Sequence, residues 1–286
     1  MQTGEPVDQT ASTTDSVAVN RANWDERAPA HAASPDYGVD RFAADPGFLS
    51  DVVRFDLPRL GDISGLDGVH LQCHIGTDTV SLSRLGARMR GLDFSPPAVA
   101  EARRVAQLAG ADVEFVEGDV DDAVRLLGTA SCDLVYTGVG ALCWLPSMRR
   151  WAGIVADLLR PGGRLFIREG HPMLWALDSS REDGALVVDY PYFERDEPEV
   201  WEEPGTYVAT EQEFRHNVTH TWNHGLGETV TALFDAGLRL TMLEEHDTVP
   251  WNPLSSGFEQ IGGGEWRLAE RPWRLACTYT LQAVKG

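Results

Sequence analysis

Leu71-Gln72-Cys73-His74-Ile75-Gly76 decides the fold of this chain once two later stretches are set beside it: Gly91-Leu92-Asp93-Phe94-Ser95 and Glu117-Gly118-Asp119-Val120. Each follows an apolar run (Val69 to Cys73, Ala87 to Leu92, Val113 to Val116), and helical patterns separate the three. Short apolar strands that end in small or acidic residues are how a parallel α/β sheet builds a nucleoside site along its carboxyl edge. Glycine at position 76 lets backbone approach a ligand closely. Asp93 can chelate a ribose diol, and Asp119 can accept from an adenine amino group.

The same alternation extends both ways from this centre. Residues 22–60 read as helical, with breaks at Pro35, Pro46 and Pro58. Residues 77–85 read as a helix closed by Gly86, a left-handed cap position. Ser95-Pro96 starts a helix running to about Leu108, with serine as N-cap and proline at the first turn. A short helix over 120–127, a strand over Cys132 to Thr137, a helix over 146–160 and a strand from Arg164 to Arg168 follow. A helix over 226–236 and strands at Leu238 to Glu244 and Cys277 to Val284 complete the pattern. The expected fold is therefore α/β: a doubly wound, mostly parallel seven-stranded sheet of Rossmann-like type with right-handed crossovers.

Residues 171–222 break the rhythm and read as a cap inserted after the fifth strand. Between Asp178 and Glu203 they carry ten acids against two arginines, and they include Tyr190, Tyr192, Phe193, Trp201 and Tyr207. Strands near 186–193 and 213–222 are expected to pair. The resulting plan is a disordered tail over 1–20, a helical segment over 21–60 that covers the ligand, a core over 61–170, the cap, and the rest of the core sheet over 223–286.

Composition removes several functions. The 286 residues carry a net charge of −20, which disfavours nucleic acid and anionic membrane surfaces as partners. Lys285 is the one lysine, so a phosphate-loop lysine and a Schiff-base lysine are both absent. Cys73, Cys132, Cys143 and Cys277 show no Cys-x-x-Cys spacing and read as reduced residues of a cytoplasmic protein. No apolar run approaches membrane-spanning length. A homo-oligomer is compatible with everything read so far.

Gly76, Asp93 and Asp119 in this order resemble the S-adenosylmethionine (SAM) site of class I methyltransferases, most clearly over residues 66–170. In that family the first strand reads acid-x-Gly-x-Gly-x-Gly, where this chain has His70, Gln72, His74 and Gly76. The resemblance implies a SAM-dependent methyltransferase that releases S-adenosylhomocysteine (SAH) and needs no metal. It places Gln72, His74 and Gly76 along the cofactor, Asp93 on the ribose, Phe94 against adenine, Asp119 and Val120 at the adenine amino group, and Thr137 and Gly138 along the methionyl part. Asn23-Trp24-Asp25-Glu26-Arg27 resembles an element folded over the cofactor, with Trp24, Arg27 and Tyr37 as contacts and Arg27 clamping a carboxylate. A dehydrogenase on a similar sheet would need a G-x-G-x-x-G pyrophosphate loop, which no strand–helix junction supplies. A non-catalytic SAM-binding or assembly protein is the other alternative.

Trp222-Asn223-His224-Gly225-Leu226-Gly227-Glu228 resembles a subgroup of bacterial methyltransferases acting on small molecules. His171, in Glu169-Gly170-His171-Pro172, and His224 are candidate general bases, because an imidazole titrates in the useful range. Trp144, Trp175, Tyr207, His220 and Trp222 are candidates for an acceptor pocket. His216, His220 and His224 recur every four residues, but their neighbours favour a strand and no Cys or carboxylate completes a zinc set.

Overall fold

The computed structural model describes residues 13–286. Helix α1 spans Thr13–Ala33, so residues 13–20 are helical where a disordered tail was expected; the rest of that tail, 1–12, lies outside the described residues. Ser16, Asn20, Asn23 and Arg27 recur along α1 at intervals of four, three and four, and all four are buried. Another face of α1 puts Ala28 and Ala32 into an apolar cluster with Ala98, Val99 and Ala102. Helices α2 (Val39–Ala44) and α3 (Asp51–Leu60) lead into the sheet.

From there strand and helix alternate: β1 (Asp67–Leu71), α4 (Thr77–Arg84), β2 (Arg88–Asp93), α5 (Pro96–Ala109), β3 (Glu114–Glu117), α6 (Ala123–Leu127), β4 (Cys132–Thr137), α7 (Met148–Leu158) and β5 (Leu159–Gly170). Start and stop signals act as expected at α5. The Ser95 hydroxyl accepts from the Ala98 amide at 3.3 Å, Pro96 opens the first turn, and Gly110 ends the helix at φ 63°. Residues of the central strands β1 and β4 are buried on both faces, which accounts for their near-continuous apolar runs. Val69, Leu71, Val135 and Ile167 pack with Trp151 and Val155 of α7, whereas the alternate residues Leu134, Tyr136 and Phe166 pack with Val53 and Leu60 of α3.

After β5 come α8 (Pro172–Trp175), β6 (Glu199–Glu202), β7 (Val218–Thr221), α9 (Leu226–Asp235) and β8 (Leu238–His246). The cap hairpin is β6 antiparallel to β7. The expected strand near 186–193 is instead a single bridge between Leu177 and Val188. Strands β9 (Thr248–Val249), β10 (Phe258–Gln260) and β11 (Trp266–Leu268) form a small sheet that the sequence did not announce. It is tied to β5 by Arg168, whose guanidinium meets the Glu265 carboxylate at 3.0 and 2.7 Å. The chain closes with β12 (Thr278–Lys285).

The main sheet runs β3-β2-β1-β4-β5-β12-β8, with β12 antiparallel to both neighbours. This is the doubly wound, mostly parallel seven-stranded arrangement expected. Strand order reverses between β1 and β4, which opens a crevice at their carboxyl ends. Among the described residues no helix is long and apolar enough to cross a membrane.

Candidate active site

The turn after β1 forms the crevice's inner wall. Gln72, His74 and Gly76 all hold left-handed backbone, with φ 55°, 48° and 76°. Two of these residues carry a Cβ in a region that costs non-glycine residues about 1–2 kcal/mol. Their side chains span the crevice: Gln72 Nε2 donates to Ala141 O at 2.8 Å, and His74 Nε2 lies 2.9 Å from His31 Nδ1. Gly76 is demanded by packing as well as by φ, because a Cβ there would lie 2.7 Å from the Phe115 ring and 2.8 Å from Ala102.

Asp93 ends β2 beside this turn and is 7% exposed. One carboxylate oxygen accepts from the His74 amide at 2.8 Å and the other from the Ser95 amide at 2.9 Å. Burial pushes its carboxyl up to about 6 against the pull of those two amides. Each oxygen keeps a second acceptor site. Phe94 follows, with the Arg21 guanidinium 5.8 Å from its ring. Asp119 accepts from the Asp121 amide at 2.8 Å and so caps a turn, while Val120 beside it is buried. Thr137 is fully buried at the end of β4, and the α-carbon face of Gly138 looks toward His70 and Asp78.

The roof is α1 with the cap. Trp24 meets the His31, His74 and Trp144 rings edge-on at 5.1 to 5.6 Å, and Tyr37 stacks on His31. Tyr207 from the cap bonds Tyr37 and lies 3.2 Å from His31 Nδ1. Trp24, Tyr37, His74, Trp144 and Tyr207 therefore gather in one cluster. Fully buried His31 sits at its centre, and burial lowers its pKa to about 4.

Four sequence expectations change. Arg27 does not face the crevice: its donors go to the carbonyls of Glu203, Gly205 and His216 in the cap and of Asn23 in its own helix. His220 is not in an acceptor pocket, since Ser16 Oγ holds its Nδ1 at 2.8 Å and the Asn20 side chain bonds both its amide and its carbonyl. His171 caps α8: its Nδ1 accepts from the Met173 amide at 3.1 Å and its Nε2 faces Glu245 at 2.8 Å. His224 has Nδ1 2.8 Å from Glu194 and Nε2 within 3.1 Å of the carbonyls of Leu142 and Leu145. In this arrangement the His171 Nδ1 lone pair is taken by an amide, and both ring nitrogens of His224 face oxygen acceptors. The three histidines of the four-residue repeat do not converge, and the described residues contain no cluster of metal-ligating side chains.

Trp175 and Trp222 do come together, lining a small cavity with Leu142, Cys143, Glu169 and Tyr279. Trp175 also stacks on Trp251 at 5.5 Å. Two features escaped the sequence reading. The polar stripe of α1 was legible in its four-three-four spacing but went unread. Buried Glu169 had no local signal, because three of its four amide partners lie 27 to 29 residues away.

A methyltransferase-domain family model matches residues 69–165, the stretch from β1 to β5. Over those residues the chain is similar to a methyltransferase domain. Solved methyltransferases share its fold at low identity. A Listeria monocytogenes protein assigned to the SAM-dependent methyltransferases aligns with TM-score 0.58 at 15% identity, over 82% of this chain and 98% of that one. A SAM-dependent methyltransferase of Mesorhizobium loti gives 0.57 at 19% identity, over 82% and 98%. Geranyl diphosphate C-methyltransferase of Streptomyces coelicolor gives 0.51 at 14%, over 82% and 78%. No curated protein matches by sequence. Within residues 69–165, the crevice at the ends of β1, β2 and β4 is the candidate site.

Proposed function

We propose that the protein is a SAM-dependent methyltransferase acting on a small organic acceptor. The observation that carries this reading is Asp93: a buried carboxylate at the end of β2, fixed by two amides, beside a turn with three left-handed residues. Buried polar atoms around the crevice suit a polar ligand. Gln72 Oε1 at the end of β1, Thr137 Oγ1 at the end of β4 and Arg21 Nε above Phe94 all lack a partner among the described residues. Asp93 would hold the ribose diol, Phe94 would pack on adenine, and Asp119 with the Val120 amide would meet its amino group. Gln72, His74, Gly76, Thr137 and Gly138 would line the methionyl part. Trp144 and Tyr207 would border the acceptor, with Trp175 and Trp222 beyond them.

SAM supplies an electrophilic methyl group. The chain's own part is to orient donor and acceptor and to exclude water, which is where much of such a barrier is lowered. The aromatic roof of Trp24, Tyr37, Trp144 and Tyr207 serves the second purpose. The small-molecule class draws support from the Streptomyces coelicolor enzyme, whose structure holds geranyl diphosphate and SAH. The NAD reading loses ground because β12 runs antiparallel inside the sheet, whereas classic dinucleotide folds continue 3-2-1-4-5-6 in parallel. Calorimetry with SAM, SAH and NADH tests the proposal. SAM and SAH should bind and NADH should not, and Asp93→Ala should weaken SAM binding by about 1–3 kcal/mol, the cost of stranding polar partners. NADH binding without SAM binding would sink it.

A further inference from the structure

Glu169 lies next to the end of β5 and is 3% exposed. Its carboxylate accepts four backbone amides: Gly140 at 2.7 Å and Gly170 at 2.6 Å on Oε1, Ala141 at 2.9 Å and Leu142 at 2.8 Å on Oε2. A carboxylate has about four acceptor sites, so none remains for a ligand. Burial raises its pKa and the four amides oppose that rise.

Three of those amides belong to the turn by which the chain leaves β4. The carbonyls of that turn reach the other walls of the site. Ala141 O accepts from Gln72 Nε2 at 2.8 Å, Cys143 O from the Trp222 amide at 2.9 Å, and Leu142 O and Leu145 O face His224 Nε2. One buried charge thus fixes the amide side of a turn whose carbonyl side holds the crevice loop and the return from the cap. A side-chain amide in its place would turn N–H against N–H at one end and strand two donors.

We propose that Glu169 is a positioning residue that sets the turn after β4 and, through Gln72, the wall of the nucleoside crevice. The proposal deepens the SAM reading, which supplies its ligand probe.

Amide hydrogen exchange of the full chain, followed by NMR, tests it together with SAH binding. In the wild type the amides of Gly140, Ala141 and Leu142 should exchange as slowly as those of β4, although they sit in an irregular turn. Glu169→Gln should speed those three by at least about tenfold, leave Val135 and Ile167 unchanged, and weaken SAH binding by at least about tenfold. Glu169→Asp, which keeps the charge, should recover part of both. Fast exchange of the three amides in the wild type overturns the proposal without need of any variant. So does a Gln variant whose turn amides are released while SAH affinity holds within about threefold. A wild type that binds no SAH at all contradicts the SAM reading instead, and the exchange data then judge the hold of Glu169 on its turn separately.

Discussion

Arg27→Ala separates two uses of one guanidinium. Three of the bonds from Arg27 to the cap are short: to Gly205 O at 2.9 and 3.1 Å and to His216 O at 2.8 Å. The group also lies 4.5 Å over the Phe214 ring. Charge-assisted hydrogen bonds contribute about 1.5–3 kcal/mol each. Two of these share one carbonyl, and the freed carbonyls regain water when the cap parts from α1, so the net loss should be about 3 kcal/mol. Cap opening should then become about 10²-fold more populated, at about 1.4 kcal/mol per decade. Hydrogen exchange reads this directly. Amides of Glu199–Glu202 and Val218–Thr221 should exchange about 10²-fold faster, and those of β4 and β5 at unchanged rates. SAH affinity should stay within about threefold, because no Arg27 donor faces the crevice. Arg27→Lys should restore less than half of the protection, since lysine cannot reproduce the fork. Unchanged cap exchange with a large loss of SAH affinity would refute this and return Arg27 to the role of carboxylate clamp.

Ala130 holds φ 47° at an exposed turn, so Ala130→Gly should stabilise the protein by about 1 kcal/mol in denaturant titration; a loss of stability would show that the turn is unstrained. Asp56 is fully buried, and burial pushes its carboxyl up to about 7 although it accepts from Tyr136 OH. With the folded value above the unfolded one, its stabilising contribution is complete below the unfolded value and is lost as pH rises toward 7. The stability of Asp56→Asn relative to wild type should therefore climb by about 2–3 kcal/mol between pH 5 and 8. A pH-independent difference would mean that Asp56 titrates normally.

The sheet was legible in the sequence because its central strands are buried on both faces and its turns carry strong local signals. Gly76, Gly110 and the Ser95-Pro96 helix start need only their neighbours to be read. Asp93 and Asp119 stand out as candidates in the sequence for a related reason, since each follows an apolar run. The histidines were not legible. His171, His220 and His224 look like chemistry in a linear pattern, but their partners come from β8, α1 and the turn after β4. Long-range hydrogen bonds of this kind leave no periodicity. The cap failed for the opposite reason: residues 186–193 have strand composition, yet Glu199–Glu202 supplies the edge that β7 pairs with. The small sheet of β9, β10 and β11 has strands of two or three residues, too short to show alternation.

A crystal structure of the full chain with SAH tests the central claim most directly. The account predicts the nucleoside at the ends of β1 and β2, with both ribose hydroxyls on Asp93, adenine against Phe94, and the remainder running past Gln72 and His74 toward Thr137. SAH bound anywhere else, or a crevice still closed by the His31–His74 contact at saturating SAH, would contradict it.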